Sequence, residues 1–173
     1  MKWKAVLDNY MDYQVVANEH RQITITGPGE YVVSLVGPGA EVEINGAFAA
    51  ENKEQVGVTV IIHHQAPHTR ANTTLRGVGR DQAQIKFVGR IIIDEDCGDT
   101  NSFLTERILL LSDQAHAEAV PDLEIKTDDV KCSHAASISR IPEEHLFYLM
   151  SRGIDRRQAE ELIIEGFLEI SDQ

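Results

Sequence analysis

Cysteine is scarce in this chain: Cys97 and Cys132 are the only two in 173 residues. That is too few for a disulfide framework, and a reducing compartment would keep both as thiols. Positive charge is short as well, with 16 Lys and Arg against 28 Asp and Glu and a formal net charge of −12. This balance argues against nucleic acid or an anionic membrane surface as the main partner, since both require a basic face. Long apolar runs are missing. No stretch approaches a membrane span, and MKWKAVLDNY lacks the apolar centre of a signal peptide, so the expectation is a cytoplasmic protein without membrane insertion. No P-loop, nucleophile elbow or HExxH motif occurs, which leaves nucleotide hydrolysis or proteolysis by this chain without support, and no enzymatic activity is expected. What is present is an ordinary globular composition, 42% hydrophobic and 25% charged, in a chain long enough for one well-buried domain, or one domain with a small appendage.

From Gln22 to Ser137 one theme repeats: a short β-rich run, then a turn. ITIT, YVVSLV, EVEI, VGVTVII, NTTLRGV, AQIKFVGRIII and RILLL are separated by Gly-Pro-Gly at 27–29 and 37–39, by Asn45-Gly46 and by Asp96-Cys97-Gly98. No helical period interrupts them, which excludes a βαβ sheet. A sandwich with hairpins and a solenoid of stacked turns both remain. Asn45-Gly46 suits a hairpin. The continuous runs Ile91-Ile92-Ile93 and Leu109-Leu110-Leu111 suit strands covered on both faces or lying at an interface. No clean repeat period is visible. Ahead of this region, Trp3, Val6, Leu7 and Tyr10 fall at helical spacing, which predicts a short amphipathic helix packed on an open sheet end, or an interaction arm.

Three histidines cluster in HHQAPHT. Adjacent residues of a strand face opposite sides, so His63 and His64 cannot easily share a metal. His64 and His68 have the spacing for it, but a zinc site needs a third or fourth ligand and none is near, so structural roles in a turn are expected. Cys97 lies in the acidic turn DEDCGD, where neighbouring carboxylates should raise the thiol pKa and make it a poor nucleophile.

The stretch from Pro121 to Phe167 carries most of the chemistry. LEIK and VKCSH alternate apolar and polar residues, and that alternation puts Cys132 and His134 on one strand face, ~7 Å apart at the usual rise per residue. The plain expectation for such a pair is that both fill the last rungs of a β core. Downstream the period changes to that of two helices, predicted over about 142–151 and 156–169. Pro142 suits the first turn, Gly153 a left-handed cap, and Asp155 with Gln158 a capping box. Leu146, Leu149 and Met150 form one apolar stripe, and Leu162, Ile163, Phe167 and Ile170 another; packed on each other, they would close the solenoid end.

DLEIKTDDVKCSHAAS, followed by LFYLMSRGI and A-x-x-L-I-I-x-G-F, resembles the C-terminal core of the SufB/SufD family, the scaffold proteins of the Suf iron–sulfur cluster assembly system. VSLVGPGAEVEINGAF, HHQAPHTRANTTLRGV and IKFVGRIIID extend the likeness upstream. The resemblance implies a mainly β fold: an N-terminal segment over 1–21, a right-handed parallel β-helix over 22–137, and a two-helix cap over 138–173 that docks a Suf-type ABC ATPase. Phe147, Tyr148, Arg152, Gly153 and Arg156 would present that docking surface. It further implies that His134, with Cys132 two residues before it, contributes to a transient iron–sulfur cluster, imidazole and thiolate both being iron ligands. Where the family reads H-G-A-T, this chain has His134-Ala135-Ala136-Ser137. Where the SufB branch has a sulfur-accepting cysteine, it has about Glu106, which brings it closer to SufD. A cluster usually takes four protein ligands, more than this face offers, so a second SufBD-type subunit or a homodimer is expected, with Cys132 and His134 at or near the boundary. A structural or regulatory homologue without cluster chemistry is the alternative.

Overall fold

The computed structural model describes residues 9–169. Ten strands come first: β1 (Tyr10–Val15), β2 (His20–Ile25), β3 (Gly29–Leu35), β4 (Glu41–Ala50), β5 (Gln55–His64), β6 (Arg70–Gly79), β7 (Gln84–Ile93), β8 (Thr100–Leu110), β9 (His116–Ile125) and β10 (Val130–Arg140). Two helices follow, α1 (Glu143–Ser151) and α2 (Arg156–Leu168). Odd strands form one sheet in the order β1-β3-β5-β7-β9, and even strands the other, β10-β8-β6-β4-β2. Every pairing is parallel. The chain therefore crosses from sheet to sheet at each corner and stacks turn upon turn, a parallel β-solenoid with two C-terminal helices.

Side-chain alternation fills the space between the sheets. On β7, Ile85, Phe87, Ile91 and Ile93 point inward and are fully buried, as are Val60 and Ile62 of β5 beside them. Each such residue contributes ~1.5–3 kcal/mol of burial. Turns are not of equal length: Gln55 pairs with Gln84, whereas Gln84 pairs with His116. That inequality is why the sequence shows no clean period. Corners are made by residues that tolerate the left-handed region, among them Asn52, Asp81 and Asp96 with φ of 55°, 57° and 60°.

Two local expectations are corrected. Asn45-Gly46 is not a hairpin but lies inside β4. A Cβ at Gly46 would sit 2.9 Å from the Phe48 ring and 3.0 Å from Leu75, so glycine there makes room for inward packing. Tyr10, expected on an N-terminal helix, belongs to β1, and the solenoid begins there, ahead of residue 22. Trp3, Val6 and Leu7 lie outside the described residues.

The helical pair does not close the solenoid end. The main contact of α2 with the sheets is β6, on the outer face of the even-strand sheet. Val78 and Leu109 point outward from that sheet and are still buried, which accounts for the continuous apolar run at 109–111. Arg76 of β6 donates to the carbonyls of Phe167 and Glu169 at 2.8 and 2.6 Å, pinning the C-terminal end of α2. Asp155 caps α2 by accepting from the Gln158 N–H at 3.0 Å, and Gly153 takes φ of 89° in the turn between the helices. Leu146 and Ala159 are the buried anchors, whereas Met150 and Leu162, expected on the packed stripes, are 42% and 49% exposed. Ile170 is outside the described residues. No helix among the described residues is long and apolar enough to cross a membrane.

Candidate functional site on the last rung

β10 is the edge of its sheet and, among the described residues, pairs only with β8. Register sets Cys132 beside Ser102, His134 beside Leu104 and Ala136 beside Glu106, all on the inward face. Strand parity thus brings Cys132 and His134 to one face, and adds a third residue that strand spacing alone did not single out. Glu106 is fully buried, and its Oε2 lies 2.9 Å from His134 Nε2. The His134 side chain is only 4% exposed, so the imidazole is nearly closed in by its own chain. Burial pushes the Glu106 carboxyl above the usual carboxylate range, against the opposing pull of His134.

Both members of the pair keep an unused atom. Glu106 Oε1 and His134 Nδ1 are buried and have no hydrogen-bond partner among the described residues. Across the core, Gly89 of β7 faces them. A Cβ there would lie 3.0 Å from Glu106 Oε1, 3.1 Å from His134 Cε1 and 2.1 Å from Leu104 Cδ2. Glycine is what allows the two ionisable groups to sit inside the solenoid. Cys132 is half-buried and packs on the core, and burial raises its thiol pKa. Thiol, imidazole and carboxylate are all donors that iron accepts, so the set fits partial ligation of an iron–sulfur cargo. No group of three or more His, Cys, Asp or Glu among the described residues is placed to hold a metal ion.

The solenoid is open at this rung. Leu123 and Ile125 of β9 and Ile138 of β10 continue the inward rows of Ile91, Ile93 and Ile108, each of which is fully buried. On the last rung the same rows are 44%, 42% and 46% exposed.

The other candidates separate. His64 is fully buried, with Nδ1 2.7 Å from Thr69 Oγ1 and Nε2 3.0 Å from Ser102 Oγ, and burial lowers its pKa to about 4. His63 contacts Asp94 at 2.7 Å and His68 contacts Asp99 at 3.0 Å, in different directions. All three are therefore tied into the fold. Cys97 sits at the acidic turn but belongs to the core. It is 2% exposed, its thiol donates to the His64 carbonyl at 3.6 Å, and burial, more than Asp94, raises its pKa.

On the helices, Phe147 and Tyr148 are 74% and 58% exposed. Arg152 stacks over the Tyr148 ring at 5.3 Å. Arg156 bonds both Glu143 oxygens, at 2.7 and 3.2 Å, and reaches Glu160 at 3.3 Å, so it fastens α2 to α1.

Residues 18–167 match the family described as SUF system FeS cluster assembly, SufBD core domain. An iron–sulfur cluster assembly SufBD family protein of Mycobacterium leprae is 34% identical over 160 residues, covering 85% of this chain and 41% of that protein. The iron–sulfur cluster assembly protein SufD of Bacillus subtilis is 34% identical over 139 residues, covering 80% of this chain and 32% of its own length. A SufBD family protein of Pyrococcus horikoshii is 34% identical over 134 residues, with 78% and 30% covered. The chain spans less than half the length of these relatives. With a parallel solenoid, a two-helix C-terminus and a family match over nearly all the described residues, this chain belongs to the SufBD family of the SUF iron–sulfur cluster assembly system.

Proposed function

We propose that this chain is a non-enzymatic scaffold subunit of a Suf-type assembly complex, contributing His134 and Cys132 to a nascent iron–sulfur cluster at a boundary with a second SufBD-type subunit or a second copy of itself. The observation that carries this reading is the open last rung. Leu123, Ile125 and Ile138 leave apolar core rows half-exposed beside Cys132 and His134. β9 and β10 each keep one unpaired strand edge among the described residues. A second solenoid end meeting this one would bury those rows and bring in the missing ligands. The exposed Phe147 and Tyr148, beside Arg152 and Gly153, favour α1 and the turn after it as the docking surface for the partner ABC-type ATPase. Arg156, half-exposed and bonded to Glu143 of α1, is part of the same surface.

Sedimentation velocity on the wild type and on Leu123→Asp/Ile138→Asp, followed by anaerobic reconstitution with iron and sulfide, tests the proposal. The wild type should sediment as a dimer and develop cluster absorbance, and the double variant should be a monomer that does not. A monomeric wild type would exclude the second copy and leave a different SufBD-type subunit as the partner, whereas a monomeric variant that loads like the wild type would overturn the boundary site. A second reading, a regulatory homologue without cluster chemistry, is favoured by the near-complete enclosure of His134 and its engagement by Glu106. A dimer that takes up no cluster would select that reading.

A further inference from the structure

The two nitrogens of His134 are in unlike surroundings. Nε2 has the Glu106 carboxylate at 2.9 Å, whereas Nδ1 is buried with no partner among the described residues. A proton on Nδ1 would be a buried N–H without an acceptor, while a proton on Nε2 makes a charge-assisted hydrogen bond. The neutral ring therefore carries its proton on Nε2, donated to Glu106 Oε2, and Nδ1 holds a bare lone pair. We propose that Glu106 is a positioning residue: it fixes His134 in the Nε2–H tautomer and so makes Nδ1 the metal-binding atom.

The inference rests on the reading of His134 as a ligand to iron. It adds the atom that ligates and the group that prepares it, in the manner of imidazole ligands whose second nitrogen donates to a carboxylate. The surroundings support a built arrangement. Glu106 is a fully buried carboxyl group on a strand face otherwise occupied by Leu104 and Ile108. The opposing wall is cut back to glycine at Gly89, where the two side chains meet it. Leu104, the register partner of His134 and the inward neighbour of Glu106 on β8, is itself buried beside the pair. Cys132, one inward step away on β10, puts a thiol on the same strand face.

The test uses the full chain labelled with nitrogen-15 in histidine, kept anaerobic at one pH. Long-range imidazole spectra identify which nitrogen carries the proton, with His134 assigned by the signals lost in His134→Ala. Co²⁺ alone, followed by absorbance, then measures metal binding by the wild type, Glu106→Gln and His134→Ala. The wild type should show the Nε2–H pattern. In Glu106→Gln the charge-assisted hydrogen bond is gone and the neutral amide can either accept from or donate to Nε2, so the Nε2–H pattern should give way to a mixture of tautomers and Co²⁺ affinity should fall by about tenfold or more. A wild-type ring protonated on Nδ1, or a folded Glu106→Gln protein that binds Co²⁺ as tightly as the wild type, would overturn the positioning role. His134→Ala separates the two claims. If it loses Co²⁺ binding while Glu106→Gln keeps it, only the positioning role fails. If it binds as the wild type does, the ligand reading fails and the positioning role falls with it. Should Glu106→Gln not fold, the wild-type tautomer alone decides.

Discussion

Acid should weaken this fold through His64, independently of the candidate site. The imidazole is enclosed between Thr69 and Ser102, and burial lowers its pKa from 6.5 to about 4. Folded chains thus hold His64 neutral at pH values where unfolded chains protonate it. Its contribution is fully present above pH 6.5, shrinks as the pH falls, and is lost by about pH 4, where the folded ring takes up the proton too. A gap of that size corresponds to about 3 kcal/mol, at roughly 1.4 kcal/mol per pKa unit. Urea unfolding of the wild type and of His64→Gln, repeated in steps from pH 7 to pH 4.5, isolates the effect, because the other titrating groups are common to both. His64→Gln should be less stable at pH 7, having lost a ring that satisfies two buried hydroxyls, but should lose less stability on acidification. Parallel pH profiles for the two proteins would refute the burial argument.

Other outcomes follow from packing and exposure. Gly89→Ala should cost about 1–3 kcal/mol, because its Cβ would meet Leu104 at 2.1 Å, whereas Gly57→Ala, with nothing within 4 Å, should be close to neutral; equal effects in urea unfolding would contradict the geometry. Alkylation read by mass spectrometry should modify Cys132 well before Cys97, since Cys97 is sealed in the core and Cys132 is only half-buried; the reverse order would count against the placement of both residues. Phe147→Ser and Tyr148→Ser should reduce co-purification with a Suf-type ATPase more than Arg156→Ala, whose ion pairs are exposed and screened by solvent; unchanged capture by the aromatic variants would remove α1 as the docking surface.

Features that depend on near neighbours along the chain are legible in the amino-acid sequence itself. Strand parity places Cys132 and His134 on one face, and Pro142, Gly153 and the Asp155–Gln158 cap locate both helices. Features that depend on the next turn of the solenoid are not, because the partner lies a whole turn away along the chain. Asn45-Gly46 has the composition of a hairpin, but in β4 the glycine answers to Phe48 and Leu75. Cys97 has acidic neighbours, yet its burial comes from the core around it, including the His64 carbonyl above its thiol. Tyr10 fits a helical spacing, but its register with Glu30 of β3 makes it a strand residue. Glu106 does carry a signal: alternation from Leu104 to Ile108 puts a carboxylate on an apolar face, where an unpaired charge is costly. Its partner, His134, sits on the next strand of the sheet and is identified only by the register.

The central claim is that the last rung builds a cluster through His134. Anaerobic reconstitution of the wild type, His134→Ala and Cys97→Ala with iron and sulfide, with bound iron and sulfide counted against protein and the fold checked by circular dichroism, tests it most directly. The account predicts that His134→Ala stays folded but retains little cluster absorbance, while Cys97→Ala, altered at a thiol sealed in the core, loads like the wild type. A folded His134→Ala protein that carries as much iron and sulfide as the wild type would contradict it.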